Sequence, residues 1–213
     1  MKKLVIIGAG GFGREVKTLI DSINNQSPTY HFLGFFDDGF EKGVIVNGYP
    51  VLGGIYDINS INYECSVVIA IGDPQTKKSL FDKIVNTNVN FPNIIHPNVL
   101  ISNDFVEIGI GNIICASCII TCNIIVKDFV ILNLFCTVGH DTIISSFSSF
   151  MPSVNISGEV LINEKVYVGT GAKIINQLEI GANTIVGAGA VVSKSLPENC
   201  TAVGIPAKPI KFH

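Results

Sequence analysis

From Ile108 to Val192 every sixth residue is apolar, running through Ile114, Ile120, Val126, Leu132, Val138, Ile144, Phe150, Ile156, Ile162, Val168, Ile174, Ile180 and Val186 without one slip of phase. Four residues further along each hexad stands a second column of small or aliphatic side chains, among them Cys118, Val130, Cys136, Thr142, Val154, Val166 and Ala190, with Asn112 the one departure. An α-helix repeats every 3.6 residues and a strand every 2, so neither element alone gives a period of six. An ordinary sandwich does not hold phase for this long. The pattern predicts stacked solenoid turns, each burying its apolar column on the next.

The pattern resembles the hexapeptide repeat of the left-handed parallel β-helix. In that fold three hexads close one triangular coil of eighteen residues, with crossovers that depart from the usual right-handed rule. The resemblance implies about five coils over 102–191, capped by the tail after residue 195. Residues 1–90 obey a different rule. "KLVIIGAG", "YHFLGFFDD" and "SVVIAIGD" read as strands. "GFGREVKTLIDSI" carries Val16, Leu19, Ile20 and Ile23 at helical spacing, and "PQTKKSLFDKIV" carries Leu80, Phe81, Ile84 and Val85 behind Pro74. Alternating strands and helices predict a βαβ unit with a parallel sheet. The expected fold class is therefore α/β plus β: a Rossmann-like domain over 1–92, then a left-handed parallel β-helix with a C-terminal cap over 93–213.

Net charge is −3, which gives no general attraction for nucleic acid or anionic membranes. Mean hydropathy is +0.48, yet no apolar run reaches the ~20 residues of a spanning helix. Glycines cut the first apolar stretch to four residues, below a signal peptide's ~7–15. A cytoplasmic protein is expected. Of six cysteines, Cys115, Cys118 and Cys122 cluster in "CASCIITC", a spacing that mildly suggests metal. The hexad phase instead puts Cys118 and Cys136 in the inward column as core, and His140 is the one histidine well inside the coils. No metal is expected.

Stacking at eighteen residues sets Asp104, Cys122, His140, Gly158 and Asn176 in one outward column, with Gly158 directly above His140. Acyl transfer from a thioester needs a base for the nucleophile's proton and a donor for the developing oxyanion. An imidazole beneath an unobstructed glycine N–H supplies both, with Asp141 placed to orient the ring. The plain alternative is a surface histidine at a coil corner. In the first domain Gly8, Gly10 and Gly13 spell G-x-G-x-x-G between a strand and a helix, with Asp37 and Asp38 downstream. Three readings fit: a nucleotide-sugar loop, an NAD loop, and a tight turn holding no ligand. Too few residues precede the repeats for a full NAD fold. In "GIPAKPI" two roles also fit. The segment caps the last coil, or Lys208 meets coenzyme A phosphates while Pro206 and Ala207 flank the adenine. Lys194 is a weaker phosphate candidate.

The segment from "HDTIISSFSSF" through "GAGAVV" to "AVGIPAKPI", with the N-terminal "GAGGFGREV", "FFDD" and "IAIGD", resembles the hexapeptide acyltransferases of the NeuD/PglD type over nearly the whole chain. That resemblance implies His140 as general base, Asp141 as its acidic partner, and the Gly158 amide on the thioester carbonyl. It places Thr170 and Ala188 against acetyl-CoA. Ser149 falls on the cofactor side, where the family often has a second histidine. Gly10, Gly11 and Phe12 would line the nucleotide-sugar pocket, Asp37 and Asp38 would bind base or ribose, and Gly72 would close the third strand's end. The implied activity is acetyl-CoA-dependent N-acetylation of a nucleotide-linked 4-amino-sugar by a homotrimer. The alternatives are O-acetylation of a sialic acid or other hydroxyl such as serine, and a non-enzymatic scaffold or nucleotide-binding module.

Overall fold

Leu4–Ile7 form the centre of a strand because both faces of the run are buried. A computed structural model describes residues 1–213. In it the chain forms two units, Met1–Pro97 and Asn98–His213. The first contains β1 (Lys2–Ile7), α1 (Gly11–Gln26), β2 (Tyr30–Phe36), β3 (Ile45–Val46), β4 (Tyr49–Gly53), β5 (Cys65–Ile69), α2 (Pro74–Asp82) and β6 (Val89–Asn90). The sheet order is β3-β4-β2-β1-β5-β6. Every pairing is parallel except β3 with β4.

Helix α1 buries Val16, Leu19 and Ile20, as its spacing predicts. Helix α2 is shorter than expected. It ends at Asp82, Val85 is 77% exposed, and the buried side chains on it are Pro74 and Lys77. The reason is local. The N–H groups of Lys83 and Ile84 turn back on Leu80 and Phe81 carbonyls, and the Val85 N–H is taken by the Asn59 side chain at 2.9 Å.

The second unit is a three-sided parallel β-helix. One face stacks Ile113–Ile114, Ile131–Leu132, Ser149–Phe150, Tyr167–Val168 and Ile185–Val186. A second stacks Ile119–Ile120, Thr137–Val138, Asn155–Ile156, Lys173–Ile174 and Val191–Val192. A third stacks Ile124–Val126, Ile143–Ile144, Leu161–Ile162 and Glu179–Ile180. Partners such as Ile131 and Ser149, or Thr137 and Asn155, are eighteen residues apart. The apolar column is buried at every member from Ile114 to Val192, and Ile108 is half-buried at the open end. Each such side chain stabilises the coil by about 1.5–3 kcal/mol. Polar members of the second column are satisfied inside. Asn112 Oδ1 accepts the Val130 N–H at 2.7 Å, and Ser148 Oγ accepts the Val166 N–H at 3.2 Å.

The corners follow a rule the hydrophobic period does not display. Every sixth residue from Phe105 to Gly189 has positive φ. Glycine, asparagine and aspartate tolerate that region, but Phe129, Phe147, Glu159 and Lys165 adopt it as well. The cost of order 1 kcal/mol at each is offset by the stacked rungs on either side. The tail closes the helix. Cys200–Val203 adds to Ile185–Val186 in parallel, and Lys208–Phe212 folds back antiparallel to it. This supports the capping reading of "GIPAKPI". No helix is long and apolar enough to cross a membrane.

Candidate active site

The corner after Thr137–Val138 brings two coils into close approach. A Cβ on Gly139 would meet the backbone at 2.6 Å from Ser157 C and 2.7 Å from Gly158 N, so only glycine fits there. His140 follows with its side chain 56% exposed. Asp141 then takes the corner conformation, φ 57°. That turn returns its carboxylate to the preceding ring, and His140 Nδ1 lies 2.7 Å from Asp141 Oδ2. With the carboxylate accepting, Nδ1 carries the hydrogen and Nε2 is left with its lone pair. The other carboxylate oxygen, Oδ1, accepts from Asn123 Nδ2 at 3.0 Å. Hydrogen bonds from His140 first, and then from Asn123, hold the Asp141 carboxyl below its usual range.

Gly158 sits one coil above. A Cβ there would stand 2.5 Å from both Cε1 and Nε2 of His140. The imidazole therefore occupies the space any other residue's side chain would fill. The coils are locked by the Glu159 N–H on the His140 carbonyl at 2.7 Å, while the Gly158 N–H donates to no group of the chain. The structure thus brings together His140, Asp141 and the buried Gly158, whose N–H has no acceptor in the chain.

The remaining expected residues lie elsewhere. Thr170 and Ala188 are exposed and stack at the corner preceding the second face, joined by the Gly189 N–H on the Thr170 carbonyl at 2.8 Å. His140 and Gly158 lie at the corner following that face. Ser149 is on the first face and 0% exposed, its N–H bound to the Val166 carbonyl. Lys208 is exposed in the last strand, and Ala207 is buried with its N–H on the Val191 carbonyl. The cysteine cluster is core at Cys118, which is 0% exposed, and at Cys115, while Cys122 is half-buried beneath His140.

In the first unit Gly13 cannot carry a Cβ, which would fall 1.8 Å from the Gly8 carbonyl oxygen; Gly8 has φ +102°. These two glycines serve helix–strand packing. Gly10 has open space where a Cβ would go, and Gly11 is exposed beside half-buried Phe12. A cleft of about 200 Å³ is lined by Gly8, Asp37, Asp38, Ile55, Ile71 and Thr76, among others. Asp37 accepts the Ala9 N–H at 2.7 Å and the Gly39 N–H at 2.8 Å, and Asp38 Oδ1 accepts the Ile55 N–H at 2.8 Å. The aspartates shape the cleft as well as facing it. Gly72 is half-buried, three residues beyond the end of β5.

Three residues at these places escape the motif reading. Ile55 and Thr76 carry no sequence signal. Asn123 does: it stands eighteen residues before Asp141, in the corner column Phe105, Asn123, Asp141, Glu159, Gln177.

Comparison with known proteins supplies the context. A family profile described as the PglD N-terminal domain matches residues 3–84. A GDP-perosamine N-acetyltransferase from Escherichia coli O157:H7 is 33% identical, over 97% of this chain and 95% of its own. PerB from Caulobacter crescentus, solved with CoA and GDP-perosamine, superposes with a TM-score of 0.85 at 30% identity, covering 99% of this chain and 98% of its own. The acetyltransferase domain of PglB from Neisseria gonorrhoeae, solved with acetyl coenzyme A, gives a TM-score of 0.88 at 32% identity, covering 98% and 99%.

Proposed function

Since the chain belongs to the NeuD/PglD family of sugar acetyltransferases, we propose that it moves the acetyl group of acetyl-CoA onto the amine of a nucleotide-linked 4-amino-sugar, with GDP-perosamine as the foremost acceptor. One observation carries the chemistry: His140 is held by Asp141 at Nδ1, with Nε2 turned toward the Gly158 corner. The acceptor amine attacks the thioester carbonyl as Nε2 takes its proton. The Gly158 N–H hydrogen-bonds the oxyanion of the tetrahedral intermediate. Collapse breaks the C–S bond, the imidazolium returns its proton to the sulfur, and CoA leaves as the thiol. Asp141 stays ionised and keeps the ring's tautomer. The nucleotide part of the acceptor is assigned to the cleft lined by Asp37 and Asp38, with Gly10, Gly11, Phe12 and Gly72 proposed as further contacts outside that lining. CoA contacts are assigned to Gly158, Thr170, Ala188 and Lys208, and not to Ser149, which has no exposed surface for a ligand to meet.

A thiol-release assay tests this reading. With acetyl-CoA and a panel of GDP-, dTDP- and UDP-linked 4-amino-sugars, the GDP-linked member is expected to give the highest kcat/KM. Sialic acid and serine are the hydroxyl controls. A hydroxyl acceptor used in preference to every amino-sugar would overturn it.

The same reading extends to assembly. Thr170 and Ala188 lie at one corner of a β-helix and His140 at another, so a CoA that meets both sets is readily placed between two subunits of a homotrimer. Light scattering is expected to give three times the 22.8 kDa chain mass; a monomer would break that assignment. The proposed setting is the cytoplasm.

A further inference from the structure

Asn123 is exposed, directly follows the cysteine cluster in the chain, and is bonded to one oxygen of Asp141 while His140 takes the other. We infer that Asn123 is a positioning residue for acyl transfer, fixing the plane of the Asp141 carboxylate so that it holds the imidazole in its working orientation. This rests on His140 being the base.

The argument begins with exposure. The Asp141 side chain is 48% exposed, so water competes for both of its oxygens. A carboxylate with one partner rotates about its side-chain bonds; tied at both oxygens, it does not. The corner geometry supplies the second tie. Asn123 and Asp141 share the same left-handed backbone, φ 55° and 57°, one coil apart. Neighbouring rungs are about 4.8 Å apart, so equivalent side chains leave the helix side by side. The Asn123 backbone is itself pinned, its N–H on the Asp104 carbonyl at 2.9 Å. The chain Asn123–Asp141–His140 is thus anchored at its far end to the coil beneath the site.

The next carboxylate in the column is treated alike. Glu159, one coil above Asp141, accepts from Gln177 Nε2 at 3.1 Å. Each acid in this corner has its own amide, and Asp141 is the one whose second oxygen reaches the ring. Asp104 and Cys122 lie below His140 in its own column, and no hydrogen bond joins either side chain to the ring or to Asp141.

The test is a mutant cycle read by thiol release from acetyl-CoA, with GDP-perosamine or the best acceptor of the panel, and thermal melts to verify folding. Asn123→Ala is expected to lower kcat about tenfold, the value of one hydrogen bond to a charged group, with both KM values unchanged. Asn123→Asp keeps the size and the tolerance of positive φ but removes the donor, and is expected to be at least as damaging. In an Asp141→Ala background Asn123→Ala is expected to cost nothing more. An unchanged kcat for Asn123→Ala, or the same loss in the Asp141→Ala background, would overturn the inference. His140→Ala is the control. If it keeps full transfer, the base assignment fails and this inference with it. If it is inactive while Asn123→Ala is silent, only the role of Asn123 fails.

Discussion

His140→Ala is expected to lower kcat for acetyl transfer by about 10²–10⁴-fold, the usual worth of a positioned general base. KM for acetyl-CoA and for the acceptor should stay near wild type, because the imidazole acts on a proton that moves only in the transition state. The fold should not register the change. The side chain is 56% exposed, and the bond that ties this corner to the next coil runs from the Glu159 N–H to the His140 backbone carbonyl. Substitutions at such sites shift stability by about 0.5 kcal/mol or less. A melt indistinguishable from wild type alongside the lost kcat would assign the loss to chemistry. The pH dependence has a definite sign. The Asp141 carboxyl is held below the usual carboxylate range by its hydrogen bonds to His140 and Asn123. It therefore stays ionised, still holding the ring's Nδ1 hydrogen, below the pH at which an ordinary carboxyl takes up its proton. Wild-type kcat in His140→Ala would remove the base from the scheme and leave the corner without a function.

What could be read in advance followed one number. A period of six dictates the β-helix, and three sixes place Gly158 over His140, because stacking turns sequence separation into distance. The first domain was legible for a similar reason: β1 and β5 are buried on both faces, so their hydrophobic runs are continuous. The failures are those of physics that leaves little mark on hydrophobicity. The positive φ at every sixth residue is hidden because Phe129, Phe147 and Lys165 take it where glycine or asparagine would advertise it. The backbone there is dictated by the rungs above and below, not by the residue. Helix α2 stops early because the Lys83, Ile84 and Val85 amides turn to local partners, and Val85, although it fits the period, remains in solvent. The glycine loop follows two demands at once. Gly8 and Gly13 match a phosphate motif, yet each meets a packing demand of its own, and Gly10 alone opens onto free space. Asn123 was within reach of the same column arithmetic that found Gly158, applied one position later.

Gly158→Ala should cost about 10²-fold in kcat, and it separates two roles that glycine fills at once. The backbone at 158 lies outside the left-handed region, so alanine is not strained there. Its Cβ would stand 2.5 Å from Cε1 and Nε2 of His140 and 2.9 Å from Cδ2, closer than such atoms approach. Something must yield, and the imidazole is the exposed end of a flexible side chain. The contrast is Gly139, whose Cβ would strike backbone of the next coil that cannot move aside. At 158 the coil is expected to survive while the ring swings away, straining its 2.7 Å bond to Asp141. A displacement of about 1 Å at a reacting group is enough for the stated loss. The alanine still carries the N–H that would meet the oxyanion, so the decrease reports the place of the ring rather than the amide. Combining the change with His140→Ala sharpens the reading, since a substitution that acts by moving the imidazole has nothing left to move when the imidazole is gone. Near-wild-type turnover in Gly158→Ala would mean that the ring does its work somewhere other than beneath this residue.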